Sequence, residues 1–303
     1  SEVPASTDPP LSKGAIFVRR LSSTVVLWAV IIAALFAPHR VVAGVCFLSL
    51  IVLLGAAGLI EFYGLIEKRG LACFKRWGIA GGVLLLGGTF VCLSGLRAPQ
   101  DVLAQAGDFE TGFLVLFVLG LCVRQLASRS NPAGLAAIST TLFGLMYVAW
   151  LLYFVQKILF FPEANGRFFL VYFVLVTKCG DTGAYAVGSL IGRHKMIPRI
   201  SPGKTWEGFA GAILTSTLAS LAFAMLAEGR LVGMNSGHAV ILGVLLGVSA
   251  VVGDLIESLL KREAGVKDSG RFFPGIGGIL DLLDSILFNA PLMYLYLRHV
   301  LAN

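Results

Sequence analysis

VVAGVCFLSLIVLLGAAGLIEFY, residues 41–63, runs through twenty residues without a charged side chain before it reaches Glu61. A helix of about 20 such residues matches the hydrocarbon thickness of a bilayer. Eight further stretches read the same way: Leu21–Ala37, Gly78–Leu96, Thr111–Leu126, Gly134–Gln156, Phe168–Ile191, Phe209–Leu226, His238–Ile256 and Ser285–Leu301. The expected fold class is therefore all-α, a polytopic integral membrane protein of about nine transmembrane helices. The whole chain agrees: 57% of its 303 residues are apolar and 14% are charged, against about 25% charged in an average soluble domain. So few charges could not cover a soluble surface, and so much apolar surface excludes disorder.

Cations set the orientation, since cytoplasmic loops carry the excess of Lys and Arg. With the N-terminus in the cytoplasm, 17 of the 24 cations fall on the cytoplasmic side, six fall outside, and Lys178 lies within a span. An odd span count then places the C-terminus outside. Residues 1–20 read as a loose cytoplasmic tail without a cleavable signal. Residues 21–166 read as a scaffold of lipid-facing spans, and 167–303 as the region in which the polar motifs gather. The cysteines (Cys46, Cys73, Cys92, Cys122 and Cys179) are odd in number and show no Cys-x-x-Cys spacing. They read as buried small hydrophobes rather than as disulfides or zinc ligands.

A charge inside a span is costly and marks function by default. In the N-terminal half only Glu61 and its flank Glu67-Lys68-Arg69 stand out, and these read as interfacial anchoring. The sixth span, in contrast, carries TKCGDTGAY (177–185), with Lys178 and Asp181 on one helix face. A helix-gluing ion pair and a polar cavity wall both fit it. The loop GRHKMIPRISPGKTWE (192–207) resembles a P-loop at Gly203-Lys204-Thr205, but Pro198 stands where that motif has glycine, so a nucleotide P-loop is rejected. A basic loop entering a helix N-terminus still suits an anion, and Ser201 or Thr205 equally suits an N-cap.

The richest stretch is GDLIESLLKREAGVKDSGRFFPGIGGILDLLDS, residues 253–285. Asp254, Glu257, Ser258 and Lys261 share a helix face. Asp281 and Asp284 follow three apart at the entrance of the last span. Six of the 17 acidic residues fall within 31 positions here. Carboxylates from two helices beside Lys and Arg fit a magnesium–nucleotide site, because Mg2+ takes carboxylate oxygens together with substrate phosphates.

These residues resemble the phosphatidate cytidylyltransferase (CDP-diacylglycerol synthase) family. Its C-terminal pattern falls on Ser258, Lys261, Arg262, Lys267, Asp268, Gly270, Pro274, Gly277, Gly278, Asp281 and Asp284. SPGKTWEG (201–208) and DTGAY (181–185) also match family elements in order. Ile276 and Leu282 depart from the pattern, standing where it has His and Arg. The resemblance implies transfer of CMP from CTP to phosphatidic acid, giving CDP-diacylglycerol and pyrophosphate. It further implies Mg2+, with one or two cations left open, a homodimer, a bacterial inner membrane, and no nucleic acid partner. Carried over residue by residue, it gives Asp181, Asp254, Asp281, Asp284 and Lys261 catalytic roles, with Asp254 and Asp281 on the metal. The substrate-binding set is Ser201, Lys204, Thr205, Ser258, Arg262, Lys267 and Asp268.

Two rivals read less well. A CDP-alcohol phosphotransferase needs Asp-Gly-x-x-Ala-Arg, which this chain lacks. A secondary transporter commonly breaks helices in both halves, whereas the charge here gathers in the C-terminal half. Another CTP-using lipid or polyprenol transferase stays open.

Overall fold

The computed structural model describes residues 39–94, 102–128, 133–162, 164–227, 229–266, 270 and 278–301. Helices α1 (Arg40–Lys68), α2 (Lys75–Leu93) and α3 (Val102–Leu126) are followed by α4 (Gly134–Gly144), which runs through a π turn (Leu145–Trp150) into α5 (Leu151–Leu159). Helix α6 (Gly166–Ile191) then leads to a hairpin of β1 (Lys195–Ile197) and β2 (Ser201–Thr205). Helices α7 (Trp206–Leu226), α8 (Ser236–Glu263) and α9 (Ile279–Tyr296) complete the fold, and a second π turn (Leu297–Leu301) extends α9.

Among the described residues seven helical segments are long and apolar enough to cross a membrane, the α4–α5 rod counting as one. Helix α6 is not among the seven although its 26 residues reach about 39 Å at 1.5 Å each, because Arg167, Lys178 and Asp181 dilute its apolar face. The expected Leu21–Ala37 span lies outside the described residues; each of the other eight spans corresponds to a helix here. Outer faces carry bare hydrocarbon, such as Leu53 at 68% and Leu116 at 70% exposure. That pattern belongs to an integral membrane protein, in which lipid covers such faces. Cys46 and Cys122 are exposed as well, which corrects their expected burial: lipid supplies the apolar surroundings that protein supplies to a buried thiol. All five cysteines are free.

Helices α6, α7 and α8 pack consecutively, and α9 joins them to α5 and α1. Small residues permit the approach. A Cβ on Gly243 would stand 2.5 Å from the Thr217 Cα, so α7 and α8 meet backbone to backbone. Polar side chains tie the same helices together, as is common between spans. Ser216 donates to the Gly243 carbonyl at 2.7 Å. Asn289 donates to Thr177 Oγ1 at 2.9 Å and to the Leu246 carbonyl at 3.1 Å.

Several elements depart from the bounds that hydropathy suggests. Helix α3 begins at Val102 rather than near Thr111, so Glu110 is helical. Its carboxylate accepts from Trp150 Nε1 and the Tyr153 hydroxyl at 2.6 Å and from Lys157 Nζ at 2.9 Å, and these donors make its place in the bundle tolerable. Helix α8 runs on to Glu263, carrying Lys261 as a helical residue, and α9 starts at Ile279, placing Asp281 and Asp284 in its first two turns. The expected loop at 192–207 contains an antiparallel hairpin, with Lys195 opposite Thr205 and Ile197 opposite Ser201. It is the one departure from an all-helical chain among the described residues.

Candidate active site

One end of the C-terminal bundle holds a cavity of about 580 Å³. The second half of α6 forms one wall, β2 and the start of α7 form the roof, and α8 and α9 form the floor. The local sequence positions each wall. Thr205 Oγ1 accepts from the Gly208 N–H at 3.1 Å, so this residue caps α7. The Glu207 carboxylate takes the backbone N–H groups of Arg193 at 3.1 Å and His194 at 3.2 Å, which closes the entry to the hairpin. Arg262 Nε donates to the Ile200 carbonyl at 3.1 Å and pins the hairpin turn to α8.

Four aspartates face the cavity: Asp181, Asp254, Asp281 and Asp284. Their partners differ. Asp254 is ion-paired with Lys204 of β2, and its carboxyl group also meets that of Asp284. Asp284 is 8% exposed and accepts the Ser285 N–H at 2.6 Å. Asp281 is spoken for on both oxygens, taking Lys261 Nζ at 2.5 Å on Oδ1 and the Gly278 N–H at 2.7 Å on Oδ2. Lys261 pairs also with Glu257 at 2.5 Å. The structure thus brings Asp254 to Asp284, where the sequence pattern pairs it with Asp281.

Two carboxylates in contact repel unless a proton or a cation is shared between them. Among the described residues no group of three or more His, Cys, Asp or Glu side chains forms a metal cage. The donor set that is present, an oxygen-only pair at a cavity that Lys204 and Ser201 also line, fits a hard cation that takes its remaining ligands from substrate phosphates and water.

Of the expected substrate-binding residues, Ser201, Lys204 and Thr205 line the cavity. Ser258 does not line it, and Arg262 is engaged with the hairpin turn. Lys261 stands behind Asp281. Lys267, Asp268 and Ile276 lie outside the described residues.

Three contributors escape the sequence pattern. Glu61, read as an interfacial anchor, reaches from α1 to accept the Leu280 N–H at 2.9 Å, so the N-terminal half holds the start of α9. Nearby, Arg69, just past the end of α1, pairs with Glu263 at the end of α8 at 2.8 Å. The π turn presents Tyr147, whose buried hydroxyl has no hydrogen-bond partner among the described residues and lies within electrostatic reach of Asp284, Glu257 and Asp254. π turns recur at functional sites, but nothing in the local sequence marks this one. Glu61→Ala is expected to lower the unfolding free energy by about 1–2 kcal/mol, the cost of a lost helix cap, and to speed hydrogen exchange at the Leu280 amide. Thermal unfolding in detergent and exchange mass spectrometry check this. Glu61→Gln keeps an acceptor and should stay close to the parent.

Comparison with known proteins points the same way as the geometry. The model of the cytidylyltransferase family matches residues 18–300. The phosphatidate cytidylyltransferase of Staphylococcus epidermidis is 31% identical over 277 residues, covering 89% of this chain and 97% of that protein. That of Mycobacterium bovis is 39% identical over 221 residues, covering 71% and 70%. The uncharacterized protein YnbB of Escherichia coli is 38% identical over 162 residues, and there the chain spans about half of the relative's length, 51%.

Proposed function

Because the chain belongs to the cytidylyltransferase family, we propose that it transfers CMP from CTP to phosphatidic acid, giving CDP-diacylglycerol and pyrophosphate. The observation that carries this reading is the convergence of four aspartates and Lys204 on one cavity at the end of a membrane bundle. Such a site suits a phosphate substrate that arrives with a divalent cation, and it need not supply a protein nucleophile. None is required: a phosphatidate phosphate oxygen attacks the α-phosphorus of CTP, the bond from that phosphorus to the bridging oxygen breaks, and pyrophosphate leaves with the electron pair. Catalysis then rests on alignment and on neutralising charge as it moves to the leaving group.

Asp254 and Asp284 are the residues that would hold Mg2+. The ion would supply Lewis-acid neutralisation of the triphosphate oxygens. Lys204 exchanges its contact with Asp254 for a phosphate oxygen when the nucleotide enters, and Ser201 donates a hydrogen bond to the same chain of phosphates. Asp281 holds Lys261 behind the cavity wall and fixes the first turn of α9. The lipid enters laterally beside α6, where Tyr185, 71% exposed, stands on the cavity rim.

The excess of cations on the loops at this end supports a cytoplasmic site, with the N-terminus inside and the C-terminus outside. A second copy of the chain completes a homodimer on this reading, and crosslinking in native membranes tests that point. The central test uses the purified protein with CTP labelled at the α-phosphate. Label is expected in lipid only when phosphatidate and Mg2+ are both supplied, with pyrophosphate released one for one. Label passing to a polyprenol phosphate but not to phosphatidate would sink the acceptor assignment.

A further inference from the structure

Lys178 stands outside the family elements and has no part in the transfer as described, yet its ammonium lies in the body of α6, where an uncompensated charge is costly. It is fully engaged. Nζ donates to Asp181 Oδ2 at 3.0 Å, to Ser285 Oγ at 3.0 Å and to the Leu282 carbonyl at 3.1 Å. An ammonium has three protons to give, and all three are placed. Ser285 Oγ in turn donates to Asp181 Oδ2 at 2.8 Å, closing a ring that joins α6 to α9. Lys178 also lies within electrostatic reach of Asp284 and Asp254.

Charge balance gives this ring a meaning beyond packing. The carboxyl groups joined to this ring, to the Asp254–Asp284 pair or to Lys261 are those of Asp181, Asp254, Glu257, Asp281 and Asp284, while Glu61 and Glu207 hold backbone N–H groups apart from this set. Against these stand the ammonium groups of Lys178, Lys204 and Lys261. With every group ionised, the deficit equals the charge of one divalent cation. Without Lys178 it would exceed that charge, and the Asp254–Asp284 pair would face Asp181 with nothing fixed between them. A lysine present only to neutralise Asp181 would need no partner beyond that neighbour one turn along the same helix. Here it reaches past Asp181 to a backbone carbonyl and a hydroxyl on the very helix that carries Asp281 and Asp284.

We propose that Lys178 is a positioning residue for the transfer: a built-in cation that holds Asp181 and Ser285 and sets the charge of the carboxylate pair, so that a single divalent ion satisfies it. The chain itself thereby supplies positive charge that a second ion would otherwise bring. The inference rests on the reading that Asp254 and Asp284 hold a divalent cation, and its test separates the two.

The experiment measures Mn2+ affinity of the detergent-purified protein by electron paramagnetic resonance, without substrates, alongside steady-state kinetics. Lys178→Met keeps the length of the side chain and removes its charge. It is expected to bind Mn2+ about tenfold more tightly, since a nearby repelling charge is gone, while kcat falls about a hundredfold because the carboxylates are misplaced. These opposite signs are the signature, for a merely structural lysine would weaken both or move neither. Ser285→Ala is expected to lower kcat about tenfold and leave Mn2+ affinity within about twofold of the parent, because it breaks the ring but keeps the charge. Unchanged or weaker Mn2+ binding by Lys178→Met overturns the charge role. Should that variant fail to fold, Ser285→Ala with parental kcat overturns the positioning role by itself. Parent protein that binds no Mn2+ overturns the metal reading, and this inference with it.

Discussion

Asp284→Asn is expected to cut CTP-dependent labelling of lipid by about a thousandfold, equivalent to about 4 kcal/mol of lost transition-state stabilisation. The amide is nearly isosteric with the carboxyl group, and its oxygen still accepts the Ser285 N–H now taken by Asp284 Oδ1 at 2.6 Å. The start of α9 should therefore stay in place, and thermal unfolding should move by little. What changes is charge. Asp284 meets Asp254, and an amide in its place leaves Asp254 with Lys204 as its counter-charge and no partner across which to share a cation. The loss should fall on kcat and on kcat/KM alike, since the interaction matters most as charge moves to the leaving pyrophosphate. Asp281→Asn supplies the contrast. Both Asp281 oxygens are already held, by Lys261 and by the Gly278 N–H, so its loss is expected to be about ten- to a hundredfold, through displacement of Lys261. The reverse ranking would return the metal to Asp254 and Asp281, the assignment that the sequence resemblance implies. Parental activity in Asp284→Asn would remove the metal from this pair altogether.

That contrast marks how far the sequence could be read. Charge-free stretches such as residues 41–60 disclose spans because the bilayer acts on every residue of the segment at once. The acidic residues of 254–284 disclose a site because so many charges cannot sit idle at span ends. The pairing among them was not legible. Helical spacing puts Asp281 and Asp284 near one another, but whether Asp254 meets one or the other depends on how α8 and α9 are rotated, and Gly253, packed against the Asp284 carbonyl, fixes that. The role of Glu61 is hidden for a similar reason. Its partner, the Leu280 amide, is 219 residues away, and a glutamate near the end of a span is ordinary when viewed alone. Helix α3 began earlier than hydropathy suggests because Glu110 finds Trp150, Tyr153 and Lys157 on another rod. In the sequence Thr205 suits a cap and an anion ligand equally; the structure has it cap α7 while lining the cavity.

Lys261→Met is expected to be the most destabilising single change at the site, by about 3–5 kcal/mol, the range for removing one partner of a buried ion pair. Lys261 donates to Glu257 and to Asp281, each at 2.5 Å, and Glu257 is 2% exposed. Methionine fills the space and leaves two carboxyl groups facing each other, one of them with no route to water. Midpoints of thermal unfolding in detergent should fall accordingly, and activity should be lost by at least about a hundredfold, since Asp281 anchors the first turn of α9. Because instability and lost chemistry could be confused, the double variant Lys261→Met with Glu257→Gln decides between them. The glutamine amide donates where Lys261 did and removes one of the two facing charges, so most of the stability should return. Activity should not return, because Asp281 in the cavity wall still lacks its cation and faces the incoming triphosphate as an uncompensated charge. Recovery of both in the double variant would reduce Lys261 to a structural counter-ion. Recovery of neither would mean that the lysine holds α8 to α9 through its own packed methylenes, and that its charge is incidental.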